Sequence, residues 1–227
     1  MPVLLNTAYF PPVSYFALMA RDMKGVSDFG SGTPSLPLYS VYIEACENYQ
    51  KQSYRNRCSF YSASGKASLS FPVVHTGGTH NGILVKDVMI DYSVDWVTRH
   101  KRAITSAYRM SAYFEYYSDG LFSILDSRPD TLFRLNWLIT GFFISKFGLP
   151  VRMEETGCFT PAGSGVYGDD FREKIHPKRP DTVLHDLALE KPYYQVFSGK
   201  YGFISNLSAM DLLFNEGPES ILYIHGG

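Results

Sequence analysis

Neither sign of charge dominates this sequence of 227 residues. Its 21 lysines and arginines are matched by 22 aspartates and glutamates, which leaves a formal net charge of −1. Proteins that bind nucleic acid or lie on an anionic membrane surface usually carry a cationic excess, so neither partner is predicted. Any site for an anion must therefore be a local cluster of basic side chains.

Cysteine is scarce. The three cysteines, Cys46, Cys58 and Cys158, are widely spaced and form neither a C-x-x-C pair nor the ligand spacing of a zinc site. No metal site is predicted from them. Buried free thiols in a reducing cytosol are the simplest interpretation of this odd number of cysteines.

Long apolar runs are also missing. The longest, at residues 135–147, contains several polar residues and is too short to span a bilayer. Residues 1–6 have no cationic segment ahead of the apolar side chains and no small-residue cleavage site close behind, so they match a signal peptide poorly. We therefore expect a cytoplasmic protein with no membrane span.

The common nucleophile, metal and nucleotide motifs are absent as well. The sequence contains no G-x-S-x-G elbow, P-loop, H-E-x-x-H or EF-hand loop. Residues 163–168 match G-x-G-x-x-G by letter, but no clear strand precedes them and no clear helix follows, so a dinucleotide site is not indicated. No cofactor is predicted, although these absences do not exclude an enzyme.

What the sequence does have is an ordinary globular composition that is rich in aromatic residues. Hydrophobic residues make up 45% and charged residues 19%, and the length fits one large domain, residues 1–227. Aromatic residues make up 15%. Most of these rings are expected in the core, and the others are available to line a pocket for a ring-shaped ligand.

The predicted elements divide this domain into three parts. Residues 1–92 are mainly strands by their alternating apolar pattern, with a hairpin near residues 58–74 and loops at 24–37 and 75–82. Residues 93–148 are a helical block, with helices at about 94–110, 112–125 and 131–147 and Ser93 as the first cap. Residues 149–227 are a tail packed on the core. This order predicts an α+β fold with a mostly antiparallel or mixed sheet.

The stretch 51–57 stands out because it is polar, cationic and flanked by aromatic residues. If it is extended, side chains alternate between two faces. One face would carry three cations and a hydroxyl group, from Lys51, Ser53, Arg55 and Arg57, and the other would carry Tyr54 and Asn56. Such a row can grip a phosphate or carboxylate. Alternatively, the charges are solvated, or Glu44 and Glu47 neutralise them in a structural network.

His100 falls on the inward, apolar stripe of the first predicted helix. A histidine there must be hydrogen-bonded or lie at a cleft, and a satisfied core histidine is the commoner case. Asp91 precedes the helix, and it would either orient the imidazole as an acid–base pair or serve as a strand-end carboxylate.

Several widely spaced segments up to about residue 150 resemble the WbqC-like protein family. They are Tyr9-Phe10-Pro11, Tyr15-Phe16, Lys51-Gln52-Ser53-Tyr54-Arg55-Asn56-Arg57, Phe71-Pro72-Val73, Ile90-Asp91 with Trp96 and His100, Ala107-Tyr108 and Tyr113-Phe114. The tail resembles a subgroup found in Bacteroidetes-type bacteria, through segments such as Asp170-Phe171-Arg172. Many family members carry His-Gln-Pro before the first of these segments, whereas this chain has Asn6-Thr7-Ala8. A role for that histidine therefore does not transfer.

The resemblance implies a link to lipopolysaccharide, because the family is tied to O-antigen gene clusters. It raises the expectation of acyl or aminoacyl transfer to an activated amino sugar. The resulting hypothesis is a transferase-like enzyme that acts on an anionic small molecule. Its anion contacts would be Lys51, Arg55 and Arg57, its polar contacts Tyr54, Asn56 and Tyr9, and its proton-transfer pair His100 and Asp91. The alternative is a non-catalytic binding or assembly protein in which the same polar cluster is structural.

Overall fold

A computed structural model describes residues 2–23, 39–74 and 82–226. The predicted loop at 24–37 and most of the predicted loop at 75–82 lie outside these residues. The strands are β1 (Val3–Asn6), β2 (Tyr39–Glu44), β3 (Arg57–Ser62), β4 (Gly65–Ser70), β5 (Val151–Glu155) and β6 (Asp169–Asp170). The helices are α1 (Val13–Ala20), α2 (Trp96–Tyr108), α3 (Phe114–Asp126), α4 (Leu132–Phe147), α5 (Val183–Asp186), α6 (Ser198–Tyr201), α7 (Ala209–Glu216) and α8 (Ser220–His225).

The main sheet is parallel, with strand order β5-β2-β1-β6. Val3 pairs with Val41 at the start of β1, and Asn6 pairs with Glu44 at its end. Val3, Leu4 and Leu5 are all buried, as expected when helices and loops cover both faces of a parallel sheet. The apolar run at the N-terminus therefore becomes a central strand.

The order of the strands creates a switch point between β1 and β6. The chain builds outwards from β1 to β2 and β5, and it then returns to the other side of β1 to add β6. In open parallel sheets, ligands bind outside the carboxyl ends of the strands at such a reversal. This topology directs attention to the residues that follow Asn6, Glu44 and Asp170.

The predicted hairpin is a separate, two-stranded antiparallel unit. In the pairing of β3 with β4, Arg57 lies opposite Ser70 and Ser62 lies opposite Gly65. The turn is closed by Gly65, whose φ of +93° is favourable only for glycine. The described strands thus include both parallel and antiparallel pairs, and the α+β prediction is confirmed.

The helical block is close to its prediction, with differences at the caps. Asp95, not Ser93, caps α2 by accepting a hydrogen bond from the backbone N–H of Thr98. Thr131 caps α4 in the same way. Gly148 ends α4 in the left-handed conformation, at a φ of +65°. All residues of α1 are buried, because α1 packs against α5, α7 and α8.

The stretch 51–57 is not extended, so the predicted alternation of its side chains is wrong. Residues 51–56 form successive turns, and β3 begins only at Arg57. Gln52 has a φ of +59°, which breaks any strand. As a result Lys51 is exposed while Arg55 is only 2% exposed. The predicted row of cations therefore does not form.

Two other predicted strands do not form regular strands. Within residues 83–90, the 3-10 turn Val85–Asp87 replaces the centre of the predicted strand, and isolated bridges flank it. Residues 193–197 contain no strand. Of the three cysteines, Cys46 and Cys58 are buried as predicted, whereas Cys158 is exposed.

Candidate functional site

The segments that follow β2 and β6 at their carboxyl ends line a polar recess of about 860 Å³, counted with its open side. We call it the carboxyl-edge recess. Its walls are Glu47, Asn48, Tyr49, Gln50, Phe159, Ala162, Asp170, Arg172 and Glu173. Carboxylate, amide and aromatic side chains predominate, and these are groups that hydrogen-bond and stack against small polar ligands.

Arg172 joins the strand ends at the base of this recess. Its Nη1 donates to Oε2 of Glu44 at 2.8 Å, across the parallel sheet. Its Nε and Nη2 donate to the two carboxylate oxygens of Asp170 at 2.9 and 2.6 Å, and Nη2 also reaches the carbonyl oxygen of Thr160 at 2.8 Å. This bidentate geometry fixes the guanidinium plane.

Glu44 is completely buried, and its carboxylate is fully engaged. Oε1 accepts hydrogen bonds from the backbone N–H of Cys46 at 2.9 Å and from the hydroxyl of Thr156 at 2.7 Å. Oε2 receives the guanidinium of Arg172. Three donors, one of them the guanidinium of Arg172, therefore satisfy this buried carboxylate.

Glu47 forms the second buried ion pair. Nε and Nη2 of Arg55 both donate to Oε1 of Glu47, at 2.9 and 2.6 Å, and both side chains are more than nine-tenths buried. Burial raises the pKa of Glu47, and the charge and hydrogen bonds of Arg55 oppose this shift without cancelling it. Glu47 is therefore a carboxyl group of raised pKa at the wall of an open recess.

A smaller recess lies on the other side of Arg172, at the switch point itself. Asn6, Thr7, Tyr54 and Arg55 are among the residues that line it. Asn6 donates to the carbonyl oxygen of Arg172 at 2.7 Å, while its own Oδ1 is buried and has no hydrogen-bond partner among the described residues. The segment that departs from the common His-Gln-Pro pattern thus lines this recess.

His100 lies in the core and is paired with Tyr9. The ring nitrogen Nε2 is 3.2 Å from the carbonyl oxygen of Ser70, which can only accept, so Nε2 carries the proton. Nδ1 therefore accepts a hydrogen bond of 2.8 Å from the hydroxyl of Tyr9. Burial lowers the pKa of His100 to about 4, so the ring is neutral at physiological pH.

The other predicted site residues divide between this core and the surface. The backbone N–H of Tyr9 donates to the carbonyl oxygen of Tyr54 at 2.8 Å, and Asn56 donates to that of Phe71 at 2.8 Å. Asp91 accepts a hydrogen bond from the backbone N–H of Ser93 in a local turn. Both ring nitrogens of His100 are already bonded to other groups, so Asp91 is not the residue that orients the imidazole.

The two remaining cations differ in their surroundings. Lys51 is exposed. Arg57 is half-buried, and its Nε is buried without a hydrogen-bond partner among the described residues. The charge of Arg57 acts against the raised pKa of Tyr49, which places this guanidinium near the wall of the carboxyl-edge recess.

These features lie within a sequence that matches the profile of the WbqC-like protein family over residues 7–166. The chain belongs to the WbqC-like protein family. It is also similar to the uncharacterized protein Rv1507c of Mycobacterium tuberculosis, with 25% identity over 202 residues, covering 78% of this chain and 83% of the relative. No solved structure matches the chain.

The site of this WbqC-like protein combines residues inside and outside the matched segment. Glu44, Glu47 and Arg55 lie inside residues 7–166, whereas Asp170 and Arg172 lie beyond them. Among the predicted binding residues, the structure places Tyr54 and Arg55 at the smaller recess. It brings Tyr9 and His100 together in a closed core.

Sequence reasoning missed the importance of Glu47, Asp170 and Arg172. It treated Glu47 only as a neutralising partner and the Asp170-Phe171-Arg172 segment only as a subgroup mark. The available signal was the Asp-x-Arg spacing, because an aspartate side chain commonly accepts a hydrogen bond from the backbone two residues on, as Asp170 does from Arg172 at 3.1 Å.

The described residues contain neither a metal-binding cluster nor a membrane-spanning helix. No group of three or more histidine, cysteine or carboxylate side chains in those residues is arranged to hold a metal ion. No helix in that part of the chain combines the length and apolar character that a bilayer crossing requires.

Proposed function

We propose that this WbqC-like protein is a cytoplasmic, transferase-like enzyme that acts on an anionic small molecule, such as an activated amino sugar, in the carboxyl-edge recess. The observation that carries the proposal is Glu47, a buried carboxyl group of raised pKa at the wall of an open recess. Perturbed titratable groups in clefts are typical of acid–base sites. The sugar and the link to surface polysaccharide come from the family resemblance.

The proposed reaction is acyl or aminoacyl transfer. An amino group of the sugar attacks the carbonyl carbon of the donor, and a C–N bond forms while the leaving group departs with its electron pair. The attacking nitrogen must then lose a proton. Glu47 is proposed to accept it, because Arg55 stabilises the carboxylate before transfer and burial favours the protonated acid afterwards.

Ligand contacts are proposed from the walls of the recess. Asn48, Gln50 and Glu173 offer hydrogen-bonding groups to the sugar hydroxyl and amino groups, and Tyr49 and Phe159 offer aromatic faces. Arg57 and Lys51 are proposed to meet the anionic part, since no described carboxylate is ion-paired with either. This retains the predicted anion contacts apart from Arg55, which Glu47 neutralises.

His100 and Asp91 remain proposals for proton transfer, but the geometry favours a supporting role for His100. Its two nitrogens are bonded to Tyr9 and Ser70, and Tyr9 is completely buried. Proton transfer to a substrate would require this pair to open. We therefore assign the acid–base role to Glu47.

The second candidate is a non-catalytic binding or assembly protein. The pairing of Arg55 with Glu47 favours it, because a cation that is already neutralised and buried contributes little to binding an anion. In that case the recess would be a structural junction between β2 and β6.

A thermal-shift screen distinguishes the two candidates. The probes are UDP-N-acetylglucosamine, acetyl-coenzyme A and glycine, tested on the wild type, Arg57→Ala and a control, Arg152→Ala. Each protein is also measured with Arg102→Gln/Arg109→Gln, so that phosphate binding to these two exposed arginines outside the recess is subtracted. Arg152 is an exposed arginine of β5 that lies outside the recess. The proposal predicts a shift in the wild type and the control that is lost in Arg57→Ala. A shift that survives in Arg57→Ala contradicts the proposed anion contact, and no shift with any probe favours the non-catalytic candidate.

Catalysis is tested with Glu47→Gln. This variant keeps the shape of the side chain and one oxygen that can accept from Arg55, but it cannot accept the proton. For a pair of probes that yields product by mass spectrometry with the wild type, the variant should retain the thermal shift and lose the product. An unchanged rate would remove Glu47 from the mechanism.

A further inference from the structure

The solvent face of α2 carries a cluster of basic side chains that the recess at Glu47 does not use. Its walls are Thr98, Lys101, Arg102, Thr105 and Ser106 from α2, Arg109 at the C-terminal cap of α2 and Phe122 from α3. We call this surface the α2 groove. With its open side it measures about 910 Å³, and it shares no residue with the carboxyl-edge recess.

The arrangement follows from the amphipathic pattern of α2. Its inward stripe includes Trp96, His100 and Ile104, which are buried. The opposite stripe places Arg102 and Arg109 seven positions apart, which is about two helical turns or about 10.5 Å along the axis. Two long side chains at this spacing can converge on one group between them.

The two arginines form no direct polar contact with the described residues. Asp95, whose pKa is lowered first by hydrogen bonds from Thr98, is also close enough to Arg102 for the charge of that arginine to act on it. Neither guanidinium forms a hydrogen bond or an ion pair within the part of the chain that the structure describes, and both residues are exposed. Lys101, in contrast, is paired with Asp126 at 2.6 Å, and its Nζ lies 5.4 Å from the centre of the Phe122 ring. Asp126 therefore neutralises Lys101 at the edge of the groove. The two arginines remain as positive charges that form no direct ion pair with the described residues.

We propose that the α2 groove binds a phosphate-bearing small molecule, with the diphosphate of a nucleotide as the best fit. Arginine pairs bidentately with phosphate oxygens, and the hydroxyl groups of Thr105 and Ser106 add donors beside them. The half-buried ring of Phe122 offers an apolar wall for a base or sugar. Such a local cationic cluster is unexpected on a chain with a net charge of −1. The inference does not depend on the proposed function.

Isothermal titration calorimetry with pyrophosphate, UDP and uridine tests the proposal on the full chain. Pyrophosphate and UDP should bind, uridine alone should not, and affinity should fall as salt increases. Equal affinities for pyrophosphate and UDP assign the site to the diphosphate alone, whereas tighter binding of UDP assigns a contribution to Phe122. Uridine binding as tightly as UDP, or no binding of either diphosphate, overturns the proposal.

The variant Arg102→Gln/Arg109→Gln should weaken binding about tenfold or more, because two charge-assisted contacts are lost. The matched control is Lys66→Gln/Arg134→Gln, which removes two exposed positive charges outside the groove. Equal weakening in both variants would show general electrostatic attraction and would overturn the site. Unchanged affinity in the groove variant would do the same. All four substitutions are at exposed positions, so thermal unfolding should confirm that both variants fold.

Discussion

The guanidinium of Arg172 lies 2.8 Å from the carboxylate of Glu44, a residue 128 positions earlier in the chain. This contact joins the ends of β2 and β6 across the intervening strand β1. Because Glu44 is completely buried, the pair fixes both the tail and the base of the carboxyl-edge recess.

Replacing Arg172 with methionine should therefore destabilise the protein strongly. The change leaves Glu44 buried without its cation, and breaking a buried pair from one side typically costs about 3–5 kcal/mol. Urea denaturation measures the free energy of unfolding. Arg152→Met is the control, since Arg152 forms a long 3.8 Å pair at the surface and should change stability by less than about 1 kcal/mol. Similar losses in both variants would show that the buried pair has no special role.

The second buried pair predicts a coupling that depends on pH. In Arg55→Met, Glu47 loses the group that holds its pKa down, so its folded-state pKa rises further above the unfolded value of 4.5. The folded protein then binds more protons than the unfolded chain, and stability is lost as pH rises through this window. The deficit of the variant relative to the wild type should be smaller at pH 5 than at pH 7.

The double variant Arg55→Met/Glu47→Gln provides the control for this coupling. With no carboxylate left to desolvate, it should be more stable at pH 7 than Arg55→Met alone, and its difference from the single variant should shrink towards pH 5. If the double variant loses the sum of the two single effects, Arg55 and Glu47 act independently.

Periodicity predicted the helices because their signal is local. The stripe containing Trp96, His100 and Ile104 is visible in sequence, and α2 follows it. The extended conformation predicted for residues 51–57 was wrong because it also depended on a local pattern. An alternating pattern of residues does not exclude turns. Gln52 adopts a left-handed conformation with a φ of +59°. No glycine or proline in the stretch indicated a turn there.

The candidate site could be predicted only in part because its parts are distant in sequence. β1 pairs in parallel with β2 and β6, which are far from it in sequence. No local sequence pattern shows which strands become neighbours. Arg172 meets Glu44 only after that sheet has formed. In contrast, Tyr9 and His100 were expected to come close, and they do so at 2.8 Å, but in a closed core.

The neutral state of His100 predicts a loss of stability in acid. Burial lowers its folded-state pKa to about 4, below the ordinary value of 6.5. Between these values the unfolded chain binds the extra proton, so stability falls as pH falls from 6.5 towards 4, by about 3 kcal/mol in total. Asp211 acts in the opposite direction, because burial raises its pKa to about 6.

A comparison with His100→Gln separates the two effects. Asp211 is present in both proteins, so its contribution to the pH dependence of stability cancels in the difference between them. Glutamine at position 100 does not titrate. The free energy of unfolding, measured by urea denaturation between pH 7 and pH 4, should fall more steeply in the wild type than in the variant. A constant difference across this range would mean that His100 is not held neutral in the core.

Gly168 lies directly before β6, where the chain passes close to the start of β1. A side chain at this position would clash with the backbone of Pro2. Its φ is +88°, and a Cβ atom there would lie 2.1 Å from the carbonyl oxygen of Pro2. That oxygen accepts the backbone hydrogen bond of Asp169 at 3.0 Å, so it cannot move without weakening the pairing of the two strands. Gly168→Ala should therefore combine backbone strain with overpacking and cost about 3 kcal/mol.

Gly163→Ala is the matched control because it separates strain from clash. Gly163 also has a positive φ, of +75°, but a Cβ atom there meets nothing within 4 Å. It should cost only the strain, about 1 kcal/mol. Chemical denaturation of the two variants gives the difference directly.

Since β6 carries Asp170 and leads to Arg172, Gly168→Ala should also weaken any ligand-induced thermal shift from the carboxyl-edge recess, whereas Gly163→Ala should not. Equal stabilities would show that β6 tolerates a displaced edge and that Gly168 is not needed to seat Arg172.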